Sequence, residues 1–141
     1  MSAWWQEYVG LPFRFDGRDR SGIDCWGLVR LVFAERAGID LPSYGEIRAS
    51  DLARVAEIMT AARHLPPWQM EVPVPKARAL DVVLMLGRRR GQAAERMHVG
   101  VMVDAARVLH VEAETAAVVV PLDHPQLRRR VCGVFRHEDL A

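Results

Sequence analysis

Five short runs, "DVVLML", "HVGVMV", "RVLHVE", "AAVVVPL" and "VCGVF", fill the second half of this chain. Each is rich in β-branched residues and bounded by turn residues or charges, which is how strands read in a sequence. The first half follows a helical spacing instead. Helices first and strands afterwards define an α+β fold, with N-terminal helices packed on one antiparallel sheet rather than alternating βαβ units. At 141 residues the chain fits a single domain, residues 1–141, large enough to fold without a disulfide or metal.

The helical half divides cleanly. A short N-terminal helix is predicted with Ser2 as cap and Trp4, Trp5 and Tyr8 as an aromatic face, followed by a loop or short hairpin over "GLPFRFDGRDRSG". In "SGIDCWGLVRLVFAERAG", Asp24 is a good N-cap, Leu28, Leu31 and Val32 recur at helical spacing, and Gly38 marks a stop. A second helix is expected over "SDLARVAEIMTAARH", capped by Ser50 and burying Leu52, Val55, Ile58 and Met59. The proline-rich "LPPWQMEVPVPK" reads as extended chain with an edge strand at "MEV".

Charge and composition narrow the function classes. A net charge of +1 argues for neither a nucleic-acid nor a membrane partner, and no apolar stretch is long enough to span a bilayer. The start "MSAWWQEYVG" lacks the basic segment and apolar run of a secretory signal, so synthesis in the cytoplasm is expected, with delivery elsewhere by other means. Two cysteines far apart, Cys25 and Cys132, make no disulfide framework. Cys132, on an apolar strand, is expected to be buried and inert.

Cys25 stands in the first turn of a helix. Unpaired N–H groups and the positive end of the macrodipole favour a thiolate there, and such sites can lower a cysteine pKa from ~8.5 to about 3.5–7.5. The same N–H groups could stabilise an oxyanion on a carbonyl that sulfur attacks. Burial as a small hydrophobe is the structural alternative. A nucleophilic cysteine needs a base, usually histidine, and a third group to orient it. Of five histidines, His64 beside prolines suits a capping role, and His124 and His137 lie in polar contexts. His98 and His110 adjoin apolar runs.

The stretch "HVGVMVDAARVLHVE" reads as a hairpin with a three-residue loop, 104–106. Residue 103 then faces 107, His98 faces Glu112 and His110 faces Gly100. Both imidazoles share a face as diagonal neighbours ~7–8 Å apart at Cα, and an even-length loop would separate them. They are expected to meet on the face that receives the cysteine helix, His98 as base and His110 orienting it, with Glu112 as a spare candidate for that orienting role.

"GIDCWGLVR", then "HVGVMV", then "RVLH" resembles the NlpC-type cell-wall peptidases, from about Leu11 to Val134. The resemblance implies a compact papain-like fold with Cys25 as nucleophile, His98 as base and His110 as orienting residue, and no cofactor or metal. It implies hydrolysis of an amide in peptidoglycan stem peptides, next to D-glutamate and diaminopimelate. Phe13, Asp24 and Trp26 fall where substrate contacts are expected; Asp24 is a helix cap first. Trp26 after the cysteine and "GIDLPSYGE" are similar to the branch found in phage tails and gene transfer particles, which implies tail-tip or baseplate proteins as partners and action on the cell wall in the periplasm. Where family members often carry a tyrosine, this chain has Phe13. The basic segment 87–96 reads as a solvated connector or a rim for anionic wall polymer. Open alternatives are a structural tail-tip or hub-binding module with a vestigial site, zinc held by Cys25, His98 and His110, and an acyltransferase using the same triad.

Overall fold

The central helix forms where the sequence supplies both of its ends. In this computed structural model, which describes residues 3–14, 17–41, 68, 70–86, 97–112 and 115–140, α1 spans Cys25–Val32. Asp24 is in extended conformation and its Oδ1 accepts from the Gly27 N–H at 2.7 Å. Leu28, Val29 and Val32 are fully buried, each stabilising the fold by roughly 1.5–3 kcal/mol. One π-helical turn, Phe33–Ala37, continues the helix. Gly38 ends it with φ of 66°, a left-handed conformation that only glycine adopts freely, and the Phe33 carbonyl accepts from the N–H groups of Gly38 and Ile39. The expected stop is therefore observed, and the predicted cap is confirmed.

A small hairpin precedes α1, β1 (Arg18–Asp19) paired with β2 (Gly22–Ile23). The remaining strands are β3 (Met70–Val72), β4 (Val82–Leu86), β5 (Met97–Met102), β6 (Arg107–His110), β7 (Val118–Pro121) and β8 (Val131–Arg136). They form one six-stranded sheet in the order β3-β8-β4-β5-β6-β7 with every pair antiparallel. All five expected runs are strands and "MEV" is the edge strand. The sheet is not a plain meander, because β8 returns to pair with both β3 and β4.

The middle strands are buried on both faces, which explains why they read as nearly continuous hydrophobic runs. Val82, Leu84, Val99, Val101 and Leu109 pack with Trp26, Leu28, Val29, Val32 and Phe33 in a first core under α1. Val83, Met85, Met102 and Val108 turn the other way into a second core closed by Leu122, Leu127 and Val134. Asp81, buried ahead of β4, accepts from Arg136 through both carboxylate oxygens at 2.8 Å and fixes β8 to that end.

At the N-terminus a 3-10 turn, Gln6–Tyr8, replaces the expected helix, and Ser2 lies outside the described residues. Tyr8 is buried, edge-on to Trp4, and donates to Glu35 Oε1 at 2.6 Å. Burial and that bond push its phenol up to about 12. Arg20 joins Glu7 and Glu35, and Arg36 joins Glu7, tying the N-terminal segment to the π-helical turn. Trp68 proves to be core, edge-on to Phe33. The expected second helix, with Ser50, Leu52, Val55, Ile58, Met59 and His64, lies outside the described residues, as does the basic segment 87–96.

Candidate active site

The hairpin β5–β6 sets the site. Its register pairs Val101 with Leu109 and Met102 with Val108, as the three-residue loop predicts. Asp104 builds that loop by accepting from the N–H groups of Ala106 and Arg107 at 2.9 and 2.8 Å. Partial burial works against the Asp104 charge, yet these bonds and the Arg107 guanidinium hold its carboxyl below the usual value. The register extends to put Gly100 across from His110, where a side chain would not fit: a Cβ on Gly100 would lie 2.7 Å from Val108 Cγ2 and 3.2 Å from His110 Cβ.

That glycine lets the two imidazoles close on one another. His98 Nε2 lies 3.0 Å from His110 Nδ1, with ring centroids 5.2 Å apart and planes at 68°. Both rings are buried. One nitrogen of the pair donates and the other accepts, so each ring's tautomer is coupled to its partner's. The Glu112 carboxylate stands beside them, Oε1 being 3.7 Å from His98 Nε2 and 3.9 Å from His110 Nδ1, and Arg130 is ion-paired to that same oxygen.

The histidines share a face, but it is not the face that receives α1. Side chains alternate along β5: Val99 and Val101 meet the helix, so His98 and Gly100 point with Met102 toward the second core. Cys25 reaches this end of the sheet by another route. Ile23, two residues before it, is bridged to Phe13. Phe13 N–H donates to the Thr115 carbonyl, and Thr115 N–H donates to the carbonyl of Glu112. The mouth of α1 is thereby tied to the end of β6, which carries His110 and leads into Glu112. Cys25 is a half-buried thiol there, packed at the margin of the first core.

The other singled-out residues divide by burial. Asp24 is buried and serves as the cap. Trp26 is a core residue, 7% exposed, with little surface to offer a ligand. Phe13 is half-buried and lends its backbone to the tie just described. Cys132 is exposed, against expectation: a bulge pairs Leu84 with Gly133 and Met85 with Val131, leaving Cys132 without a cross-strand partner. His137 is buried rather than lying in a polar tail, edge-on to Trp68 at 5.1 Å.

Donor atoms of His98, His110 and Glu112 come within 4.8 Å of one another, a group that does not include Cys25. Those atoms are engaged otherwise, the imidazoles with each other and the carboxylate with Arg130. Arg130 itself was not legible as a site residue, since in "LRRR" it reads as one of a surface run.

Comparison with known proteins places the chain in a family and its fold among solved structures. The family model described as the NlpC/P60 family matches residues 10–136. No curated protein matches. Among solved structures, the chain is similar to an NLP/P60 family protein from Staphylococcus aureus described as similar to lipoprotein, at 22% identity and a TM-score of 0.62, over 93% of this chain and 38% of that one. An NlpC/P60 family protein from Bacillus cereus matches at 21% identity and a TM-score of 0.61, over 95% and 37%. The NlpC/p60 domain of the peptidoglycan hydrolase SagA matches at 18% identity and a TM-score of 0.60, over 92% and 90%. The chain thus spans little more than a third of the first two proteins. At these identities the likeness establishes the fold.

Proposed function

Because this chain belongs to the NlpC/P60 family, we propose that it is a cysteine peptidase hydrolysing an amide bond in the stem peptides of peptidoglycan. The observation that carries this reading is the 3.0 Å bond between His98 Nε2 and His110 Nδ1, at the end of the sheet to which the mouth of α1 is tied. With Nε2 of His98 engaged by His110, exchange with the thiol falls to Nδ1. His98 takes the Cys25 proton, and the thiolate attacks the amide carbonyl, forming a C–S bond. The C–N bond then breaks as His98 returns the proton to the leaving amine. Water, deprotonated by the same imidazole, hydrolyses the thioester and restores the thiol. His110 holds the ring and its tautomer throughout, as the third member of such triads does.

The family resemblance implies a scissile bond of the kind found next to D-glutamate and diaminopimelate, and in this reading the protein acts as a single domain within a phage-like tail or baseplate, meeting the cell wall when the particle docks. Trp26 directly after the nucleophile and "GIDLPSYGE" support that placement. Phe13, which brings no hydroxyl to the site, favours a second reading, a tail-tip module whose catalytic residues are vestigial. Purified protein on diaminopimelate-type muropeptides separates the two: Cys25→Ala and His98→Ala are each expected to lower product release at least about a thousandfold. Undiminished release in both variants refutes the assignment.

A further inference from the structure

Proton exchange between Cys25 and His98 leaves one neighbouring feature without a role, the ion pair of Glu112 and Arg130. The Glu112 carboxylate flanks the hydrogen bond that joins the two rings, 3.7 Å from one ring nitrogen and 3.9 Å from the other. The side chains of Glu112 and Arg130 are only 13% and 16% exposed, so water screens neither strongly. Arg130 is fixed from several directions. Its Nε donates to the Leu86 carbonyl at 2.7 Å, its Nη2 donates to Glu112, and its own carbonyl accepts from the Leu86 N–H. Swinging the guanidinium off the carboxylate would also cost its bond to the Leu86 carbonyl at the end of β4.

An isolated carboxylate this close stabilises positive charge on an imidazole, whereas a guanidinium on the same oxygen opposes it. We propose that Glu112 and Arg130 form a charge-balanced pair that sets the proton affinity of the His98–His110 couple, so that His98 both takes and returns a proton near neutral pH. The catalytic consequence rests on the reading of these histidines given under Proposed function; the electrostatic claim does not. Glu112 follows β6 and Arg130 precedes β8, while β4 sets the uncharged Met85 beside His98. The mouth of α1 brings Cys25, with Asp24 behind it as cap. Glu112 and Arg130 are positioning residues, since they act on the reaction through the imidazoles.

The test is an NMR titration of the imidazole ring signals in the full chain without substrate, reading apparent midpoints for the couple as a unit. In Glu112→Gln the couple is expected to lose its protons about one pH unit lower than in the wild type, and in Arg130→Gln about one unit higher. Arg130→Lys, which keeps the charge, titrates close to the wild type. A merely structural pair would not give shifts of opposite sign. Midpoints that stay in place, or move together in both variants, overturn the proposal. Should Arg130→Gln not fold, Glu112→Gln decides alone, and an unmoved midpoint there overturns it. The basic limb of kcat/KM on muropeptide follows the same directions. Opposite shifts in a wild-type background that hydrolyses nothing support the electrostatic pair and sink the peptidase reading, which keeps the two failures apart.

Discussion

Substituting Gly100 with alanine tests how closely the imidazole pair depends on backbone packing. The new Cβ would lie 2.7 Å from Val108 Cγ2, 3.0 Å from the Leu109 carbonyl oxygen and 3.2 Å from His110 Cβ. Carbon atoms settle at about 3.5–4.0 Å, so His110 must retreat by roughly 0.5 Å and Val108 by about 1 Å. Val108 is β-branched and the Leu109 oxygen is backbone, so neither yields easily. Overpacking of this kind costs about 1–3 kcal/mol, which lowers Tm by roughly 3–10 °C in a chain of this size. Misplacing a catalytic group by a fraction of an ångström to about 1 Å lowers kcat by about 10- to 100-fold. Val101→Ala is the control. It empties space on the opposite face of β5, under α1, and costs a comparable ~2 kcal/mol without touching the imidazoles. Thermal melts and kcat/KM on muropeptide for both variants give the answer. A Gly100→Ala protein that melts like the wild type refutes the packing argument. One that is destabilised yet as active as Val101→Ala refutes the dependence of the chemistry on the spacing of the histidine pair.

Two further outcomes follow from the structure. Asp24→Ala removes the bond to the Gly27 N–H and is expected to destabilise by ~0.5–2 kcal/mol in urea melts, with Asn at that position retaining most of the cap. Tyr8, whose phenol is pushed up to about 12 by burial and by Glu35, titrates above its unfolded value near 10. The stability it contributes is fully present below about pH 10 and is lost as pH rises toward 12. Urea melts between those limits check this, and Tyr8→Phe should flatten the decline.

The parts of this fold that were legible in the sequence are the local ones. Asp24, the spacing of Leu28 and Val32, and Gly38 each state one property of α1 within a few residues of where it acts. The odd-length loop opened by Asp104 fixes the β5–β6 register, and with it the meeting of His98 and His110. Long-range pairing was not legible: a β-branched run at 131–136 announces a strand but not that it inserts between β3 and β4. The bulge that exposes Cys132 arises from that same pairing. The face occupied by the histidines was misjudged because β5 is buried on both sides, so hydrophobicity gives no sign of which side α1 covers. His137 was taken as polar context for a similar reason, since Phe33 and Trp68 reach it from distant parts of the chain. Arg130 is one of three successive arginines, 128–130, and nothing in that run marks which of them meets Glu112.

The insertion of β8 between β3 and β4 has a bearing on how the protein is made. A ribosome that has released residues up to 130 has already supplied the thiol and both imidazoles. On that nascent chain β4 is still an open edge, and the second core lacks Val134. Whatever reactivity the three residues possess therefore arises only after all three have been made, when β8 emerges and closes the sheet behind them.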